Sequence, residues 1–223
     1  MQDYALTRDR VEHYFDRTAT KAWEQLTQAE AKVSRIRQTV REGRDRMRAL
    51  MLSRLPEDMT GLRVLDAGCG TGAMTAELAK RGAQVVAVDI SPQLVDIARQ
   101  RLPAALHPQV QFHAGDMTDP ALGRFDFVMA MDSLIYYRAA DIGAILTNLG
   151  HRTKGGVIFT VAPRTPFLMT FWTLGKAFPR SDRSPVMIPH AVTDLRRHAP
   201  GVLRSVSRVS RGFYISECLE YRP

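Results

Sequence analysis

Cysteine is nearly absent from this 223-residue chain, and the two present, Cys69 and Cys218, cannot staple a disulfide framework. The six histidines show no ligand-like spacing with each other or with the cysteines, so neither a structural zinc site nor any other protein-bound metal is expected. No apolar run approaches the ~18–20 residues that a membrane span needs. The opening Met1-Gln2-Asp3-Tyr4 carries no signal-peptide pattern, and a cytoplasmic, reduced chain is expected. Internal repeats and low-complexity linkers are also missing. What remains is ordinary globular composition, 45% hydrophobic and 24% charged, which excludes disordered and fibrous classes and suits one large domain or a domain with an appendage.

Lysine is scarce as well: 5 residues against 26 arginines, in a chain of net charge +8. The excess positive charge lies on the flanks, with 12 basic against 8 acidic residues in 1–55 and 10 against 4 in 164–223, while 56–163 has 9 against 11. No nucleic-acid recognition module accompanies it, so nucleic acid is not expected as a partner. Arginine suits planar carboxylates and phosphates better than lysine does, although a compositional bias gives the same count.

Residues 1–55 read as a helical extension or lid. A first amphipathic stretch carries Val11, Tyr14, Phe15 and Trp23; a second, with Val33, Ile36, Val40, Met47, Leu50 and Met51, stops at Pro56. Arg37, Arg41, Arg44 and Arg48 share a face of the second, either a solvated surface or a basic wall toward an anionic substrate or a membrane. From residue 62 short β-branched runs alternate with helices. Strands are expected at Arg63–Asp66, Gln84–Asp89, Val110–Ala114, Phe125–Met131 and Gly156–Ala162, with helices at Gly72–Arg81, Pro92–Leu102 and Asp141–His151. That alternation predicts βαβ units, a mostly parallel sheet, and ligands at the carboxyl ends of the strands. Pro163 and Pro166 then bracket Arg164-Thr165 ahead of an apolar aromatic stretch, Phe167 to Phe178. Two last runs, Val202–Arg211 and Gly212–Tyr221, read as an antiparallel hairpin turning at Gly212.

The sharpest motif is Val64-Leu65-Asp66-Ala67-Gly68-Cys69-Gly70-Thr71-Gly72-Ala73, an apolar strand running into close-set glycines that open a helix. Glycine suits a turn over which a ligand lies against backbone. Gly68-x-Gly70-x-x-Ala73 alone also satisfies a dinucleotide fingerprint, so three aspartates carry the distinction. Asp66 precedes the first glycine, where a diphosphate would be repelled and an ammonium welcomed. Asp89 ends the next strand, 19 residues after Gly70, placed for a ribose diol. Asp116 follows the third strand, placed to accept from an adenine amine. Each aspartate alone is an ordinary turn or cap residue.

This set resembles the class I S-adenosylmethionine-dependent methyltransferases over about residues 60–162. The resemblance implies an α/β, Rossmann-like fold: a doubly wound, seven-stranded, mostly parallel sheet, here with an N-terminal helical extension and a C-terminal antiparallel hairpin. The methyltransferase domain would span 56–223, with 164–192 a substrate-side insertion. It implies S-adenosylmethionine as methyl donor. Asp66, Ala67, Gly68 and Gly70 would border its methionine end, Asp89 and Ile90 the ribose and adenine, Asp116 and Met117 the other side of the adenine. Met131 and the segment following it, Asp132-Ser133-Leu134-Ile135-Tyr136-Tyr137, would border the sulfonium.

Tyr14-Phe15-Asp16, that segment, and the fifth-strand ending Phe159-Thr160-Val161-Ala162-Pro163-Arg164-Thr165-Pro166 with Phe178-Pro179 are similar to the magnesium-protoporphyrin IX methyltransferases of chlorophyll and bacteriochlorophyll synthesis. Family members often have histidine where Tyr136 stands. The resemblance implies a magnesium-porphyrin substrate, the porphyrin-binding subunit of magnesium chelatase as a partner, and peripheral contact with the inner or photosynthetic membrane. Tyr136 and Arg164 would position a propionate, while Tyr14, Arg37, Phe167, Phe171 and Trp172 would meet the macrocycle, although ordinary core packing accounts for the aromatic cluster equally well. A propionate, with a pKa near ~4–5 by analogy with Glu, is already ionised and needs no general base. Other acceptors, a quinone-precursor phenol or another small acid, keep the same fold; a nicotinamide-dependent oxidoreductase shares its glycine loop.

Overall fold

The computed structural model describes residues 2–16, 35–170 and 186–223. Trp23, Val33, Phe171, Trp172 and Phe178 lie outside these. Seven strands form one sheet in the order β3-β2-β1-β4-β5-β7-β6. They are β1 (Arg63–Ala67), β2 (Gln84–Asp89), β3 (Val110–Ala114), β4 (Phe127–Ala130), β5 (Val157–Val161), β6 (Val202–Arg211) and β7 (Tyr214–Arg222). The first five are parallel, and β7 enters antiparallel between β5 and β6, as Phe159↔Leu219 and Ser207↔Cys218 show. Strand order reverses between β1 and β4, which opens a crevice at their carboxyl ends.

Among the described residues the α-helices are α1 (Gln2–Tyr14), α2 (Arg35–Leu52), α3 (Ala73–Lys80), α4 (Pro92–Arg101), α5 (Ala139–Gly150) and α6 (Val192–Arg196). Alternating strand residues feed two cores. Leu65, Val86, Val128, Val157 and Phe159 meet Ile142, Leu146 and Leu149 of α5. Val64, Val85, Met129 and Ile158 meet Met47 and Met51 of α2 and Leu78 of α3. Period-two burial on both faces explains why these strands read as near-continuous apolar runs. Ser91 caps α4, its hydroxyl accepting from the Leu94 amide at 3.3 Å with Pro92 next.

Boundaries shift where side chains intervene. The fourth strand was expected over Phe125–Met131 and forms over Phe127–Ala130. Phe125 keeps only an isolated bridge to Thr153, and the Asp126 carboxylate accepts the Arg63 amide at 2.8 Å. At the other end Asp132 takes φ +56° and turns Met131 out of the ladder. The hairpin matches its expected course, with Gly212 at φ +57° packed on Thr39 of α2.

Candidate active site

The glycine loop follows directly from β1. Gly68, Gly70 and Gly72 all have positive φ, and a Cβ on Gly68 would collide with the Ser133 side chain. A side chain is therefore excluded twice over, by dihedral and by space. A cleft opens above the loop, with about 1480 Å³ of empty space including the adjoining solvent. The β-strand ends supply its floor: Asp66, Gly68, Gly70, Asp89, Ile90, Asp116, Met117 and Met131 all line it. Ala67 is wholly buried behind the loop and does not.

Each aspartate keeps acceptor capacity toward this cleft. Asp89 takes the Gly70 amide on one oxygen at 2.8 Å and the Ser91 amide on the other at 3.0 Å, and a carboxylate oxygen has a second lone pair. Burial raises its pKa, against these amide bonds. Asp116 receives Tyr4 Oη, the Thr118 amide and Thr118 Oγ1 on Oδ1, while Oδ2 has only a 3.4 Å bond from Arg8. Burial pushes this carboxyl up, but Thr118, Tyr4 and Arg8 together hold it below its ordinary value. Asp66, 1% exposed, accepts from Thr75 Oγ1 at 2.6 Å, and burial lifts its pKa to about 6. Cys69 lines the loop with its thiol raised well above the usual value by burial, so it stays protonated.

Two helices close the cleft. Tyr4, Arg8, Val11 and Phe15 lie on one face of α1 and its extension and all line it. Tyr4 stacks on Tyr137 with centroids 5.3 Å apart, and Asp16 accepts from Ser91 Oγ at 2.5 Å. From α2 come Arg41, Arg44, Asp45 and Arg48. Three of the four same-face arginines are thus a wall of the cleft, which corrects the reading of that face as merely solvated; Arg37, two turns toward the N-terminus from Arg44, is exposed. Arg44 pairs with Asp132 at 2.8 Å, and Asp132 also accepts from Thr160 Oγ1 and Tyr214 Oη. Arg8, Tyr4 and Tyr214 were not singled out as site residues from sequence, because only folding brings the two ends of the chain to the fourth-strand loop.

Tyr136 lines the cleft and packs edge-on to Phe15, 6.1 Å between centroids. Burial, with help from Asp132, pushes its phenol well above the usual value. Tyr14 packs behind Phe15. Arg164 stands apart: its amide binds the His190 carbonyl and its guanidinium lies 3.4 Å from Asp194 of α6. Neither it nor Phe167, 46% exposed, is among the described residues lining the cleft. Phe171 and Trp172 lie outside the described residues. Among the described residues no group of three or more His, Cys, Asp or Glu is arranged to hold a metal ion.

A family model described as a methyltransferase domain matches residues 64–156, and one described as the magnesium-protoporphyrin IX methyltransferase C-terminus matches 130–223. The magnesium-protoporphyrin O-methyltransferase of Rhodobacter capsulatus is 71% identical over 99% of both chains. The chain belongs to the magnesium-protoporphyrin methyltransferases. The magnesium protoporphyrin IX methyltransferase of Synechocystis PCC 6803, solved with bound SAH, superimposes on this family member with a TM-score of 0.80 and 27% identity, covering 96% of this chain and 99% of that one. The same protein solved with bound SAM gives 0.77 and 25%, covering 97% of each chain. A ubiquinone biosynthesis O-methyltransferase of Xanthomonas oryzae is 35% identical over 54% of this chain and 52% of that one. Likeness to the quinone enzyme therefore covers about half the chain, while likeness to the magnesium-protoporphyrin enzymes runs its full length. The three aspartates and the glycine loop share this cleft, whereas Ala67, expected beside them, lies behind the loop.

Proposed function

We propose that this chain transfers a methyl group from S-adenosylmethionine to a propionate carboxylate of magnesium-protoporphyrin IX, giving the monomethyl ester, in (bacterio)chlorophyll biosynthesis. The observation that carries this is one cleft with the three strand-end aspartates on its floor and the arginine face of α2 as its wall. S-adenosylmethionine supplies the methyl on its sulfonium. Asp66 suits the ammonium, Asp89 the ribose diol and Asp116 Oδ2 the adenine amine. Residues 1–55 act as the lid of a methyltransferase domain spanning 56–223, with 164–192 on the substrate side.

The acceptor oxygen is a carboxylate, ionised at neutral pH, so the protein's part is to hold it in line with the methyl carbon and keep water out. Arg41 and Arg44 line the wall where propionates would arrive, and guanidinium forks match carboxylates bidentately. Tyr136, kept protonated by burial, donates a hydrogen bond rather than taking a proton. The magnesium belongs to the substrate.

Among the described residues no helix is long and apolar enough to cross a membrane. Exposed Ile36 and Phe213, beside Arg35, Arg37 and Arg211, would give a cytoplasmic protein a peripheral, salt-sensitive contact with an anionic membrane. The porphyrin-binding subunit of magnesium chelatase would deliver the substrate. The deciding experiment incubates the protein with S-adenosylmethionine and magnesium-protoporphyrin IX and follows the product by mass spectrometry. A gain of one methyl, with the ester on a propionate, is expected. Methylation of a demethylated quinone precursor in a parallel reaction, with no porphyrin ester, would overturn the assignment.

A further inference from the structure

Asp132 stands out twice. Among the described residues it is the one non-glycine with positive φ, at +56°, a conformation that Asn and Asp tolerate best after glycine. Its carboxylate is also the meeting point of three donors: Arg44 Nη1 on Oδ2 at 2.8 Å, with Tyr214 Oη and Thr160 Oγ1 on Oδ1 at 3.0 and 3.1 Å. The Asp132 amide in turn donates to Thr160 Oγ1 at 2.7 Å. Arg44 and Asp132 both line the cleft with Tyr136, whose phenol feels both charges, while Tyr214 and Thr160 are buried and do not line it. With side chains 17% and 8% exposed, the pair is little screened by water. Arg48, one turn on, leans instead on Asp45, which is 57% exposed. Asp132 therefore cancels much of the charge that Arg44 presents to the cleft.

That cancellation matters for an acceptor that loses its charge as it reacts. A propionate oxygen bonds the methyl carbon as the carbon–sulfur bond breaks and its electron pair stays on sulfur. A carboxylate and a sulfonium thus become a neutral ester and a thioether, and no proton moves. An uncompensated arginine would bind the carboxylate most strongly before reaction and lose that attraction on the way to the transition state, which tightens binding and slows the step. We propose that Asp132 is a positioning residue acting through Arg44: it fixes the guanidinium and neutralises it, so that Arg44 aims the reacting propionate without gripping it as a bare cation would. The proposal rests on a magnesium-porphyrin propionate being the acceptor. It assigns to the Arg44–Asp132 pair the propionate that is methylated, rather than the one that stays free.

The test uses the full-length protein, with saturating S-adenosylmethionine for rates and S-adenosylhomocysteine for equilibrium binding of the porphyrin and of its monomethyl ester, read by porphyrin fluorescence. Asp132→Asn keeps the shape and suits the left-handed backbone, but removes the charge. It should bind magnesium-protoporphyrin IX about fivefold more tightly, lower kcat about tenfold, and leave affinity for the ester within about twofold. Tyr214→Phe keeps the charge, removes one hydrogen bond, and should not tighten the substrate. Should Asp132→Asn fail to fold, Arg44→Gln leaves the carboxylate facing the incoming propionate, and should weaken the substrate about tenfold and the ester less than about threefold. Weaker or unchanged substrate binding in Asp132→Asn, tightening in Tyr214→Phe, or equal changes for substrate and ester would overturn the proposal while leaving the acceptor assignment standing. A wild type that methylates a demethylated quinone precursor and no porphyrin would overturn both.

Discussion

Asp66, next to last in β1, is a buried carboxyl with Thr75 as its one side-chain donor, and burial holds its pKa at about 6. Folded, it binds its proton more tightly than an ordinary aspartate. Its contribution to the stability of the unliganded protein is therefore fully present below about pH 4 and is lost as pH rises through about 6. A cationic ligand reverses this preference, because an ammonium favours the ionised form. Donor affinity should accordingly fall as pH drops below about 6, and Asp66→Asn should flatten that limb of the profile while weakening binding above it; calorimetry from pH 5 to 8 measures both. Gly43 of α2 is a second residue on which much depends. A Cβ there would stand 2.6 Å from Tyr214 Cδ1, and Tyr214 in turn holds Asp132 in its left-handed conformation. Gly43→Ala should destabilise the fold by about 1–3 kcal/mol, as overpacking does, read as a lowered denaturation midpoint.

At the scale of elements, α1 lies across the Asp116 side of the cleft and is fastened by Tyr4 on Asp116 and, just past its last turn, by Asp16 on Ser91. Tyr4 uses one oxygen of Asp116, and Arg8 of the same helix approaches the other at 3.4 Å. Tyr4→Phe should loosen one fastening and speed release of the demethylated cofactor about fivefold, roughly one hydrogen bond, in stopped-flow displacement. The parallel strands were legible because runs such as Val85-Val86-Ala87-Val88 bury both faces, and α4 because Ser91-Pro92 is a start signal in the chain itself. The close of β4 was not legible, since Asp132 adopts φ +56° only where Thr160, Tyr214 and Arg44 converge on it. Likewise the glycine loop and Asp89 could be read from one stretch, whereas Arg8, Arg44 and Tyr214 acquire their roles from elements distant in sequence. Arg164 was drawn toward the site by its neighbours in sequence, yet the bridge between Pro163 and His190 turns it to Asp194.

For the molecule as a whole, the proposed chemistry, which uses no general base, sets the expected form of its pH dependence. With saturating donor, the rate should stay flat from about pH 6.5 to 9, above the propionate's own titration. Tyr136→Phe should lower it roughly 10²-fold by misalignment without adding or removing an ionisation; a limb near pH 7 or 10 in the wild type that vanished in this variant would show a base after all. The wall of the cleft, finally, joins opposite ends of the chain. Glu42 meets Arg211 at 2.8 Å, Gly43 fits Tyr214, and Arg44 shares Asp132 with the Tyr214 hydroxyl. During translation α2 leaves the ribosome well before the strands that it packs on, Val202–Arg211 and Tyr214–Arg222, which follow the rest of the sheet. A chain cut short before the hairpin would own the glycine loop and all three aspartates, yet α2 would lose its packing on Tyr214 and Arg211 and β5 would be an open edge. The arginine face of α2 would then take its place in the cleft only once the hairpin had formed, which makes closure of the hairpin a late step in building the cleft wall.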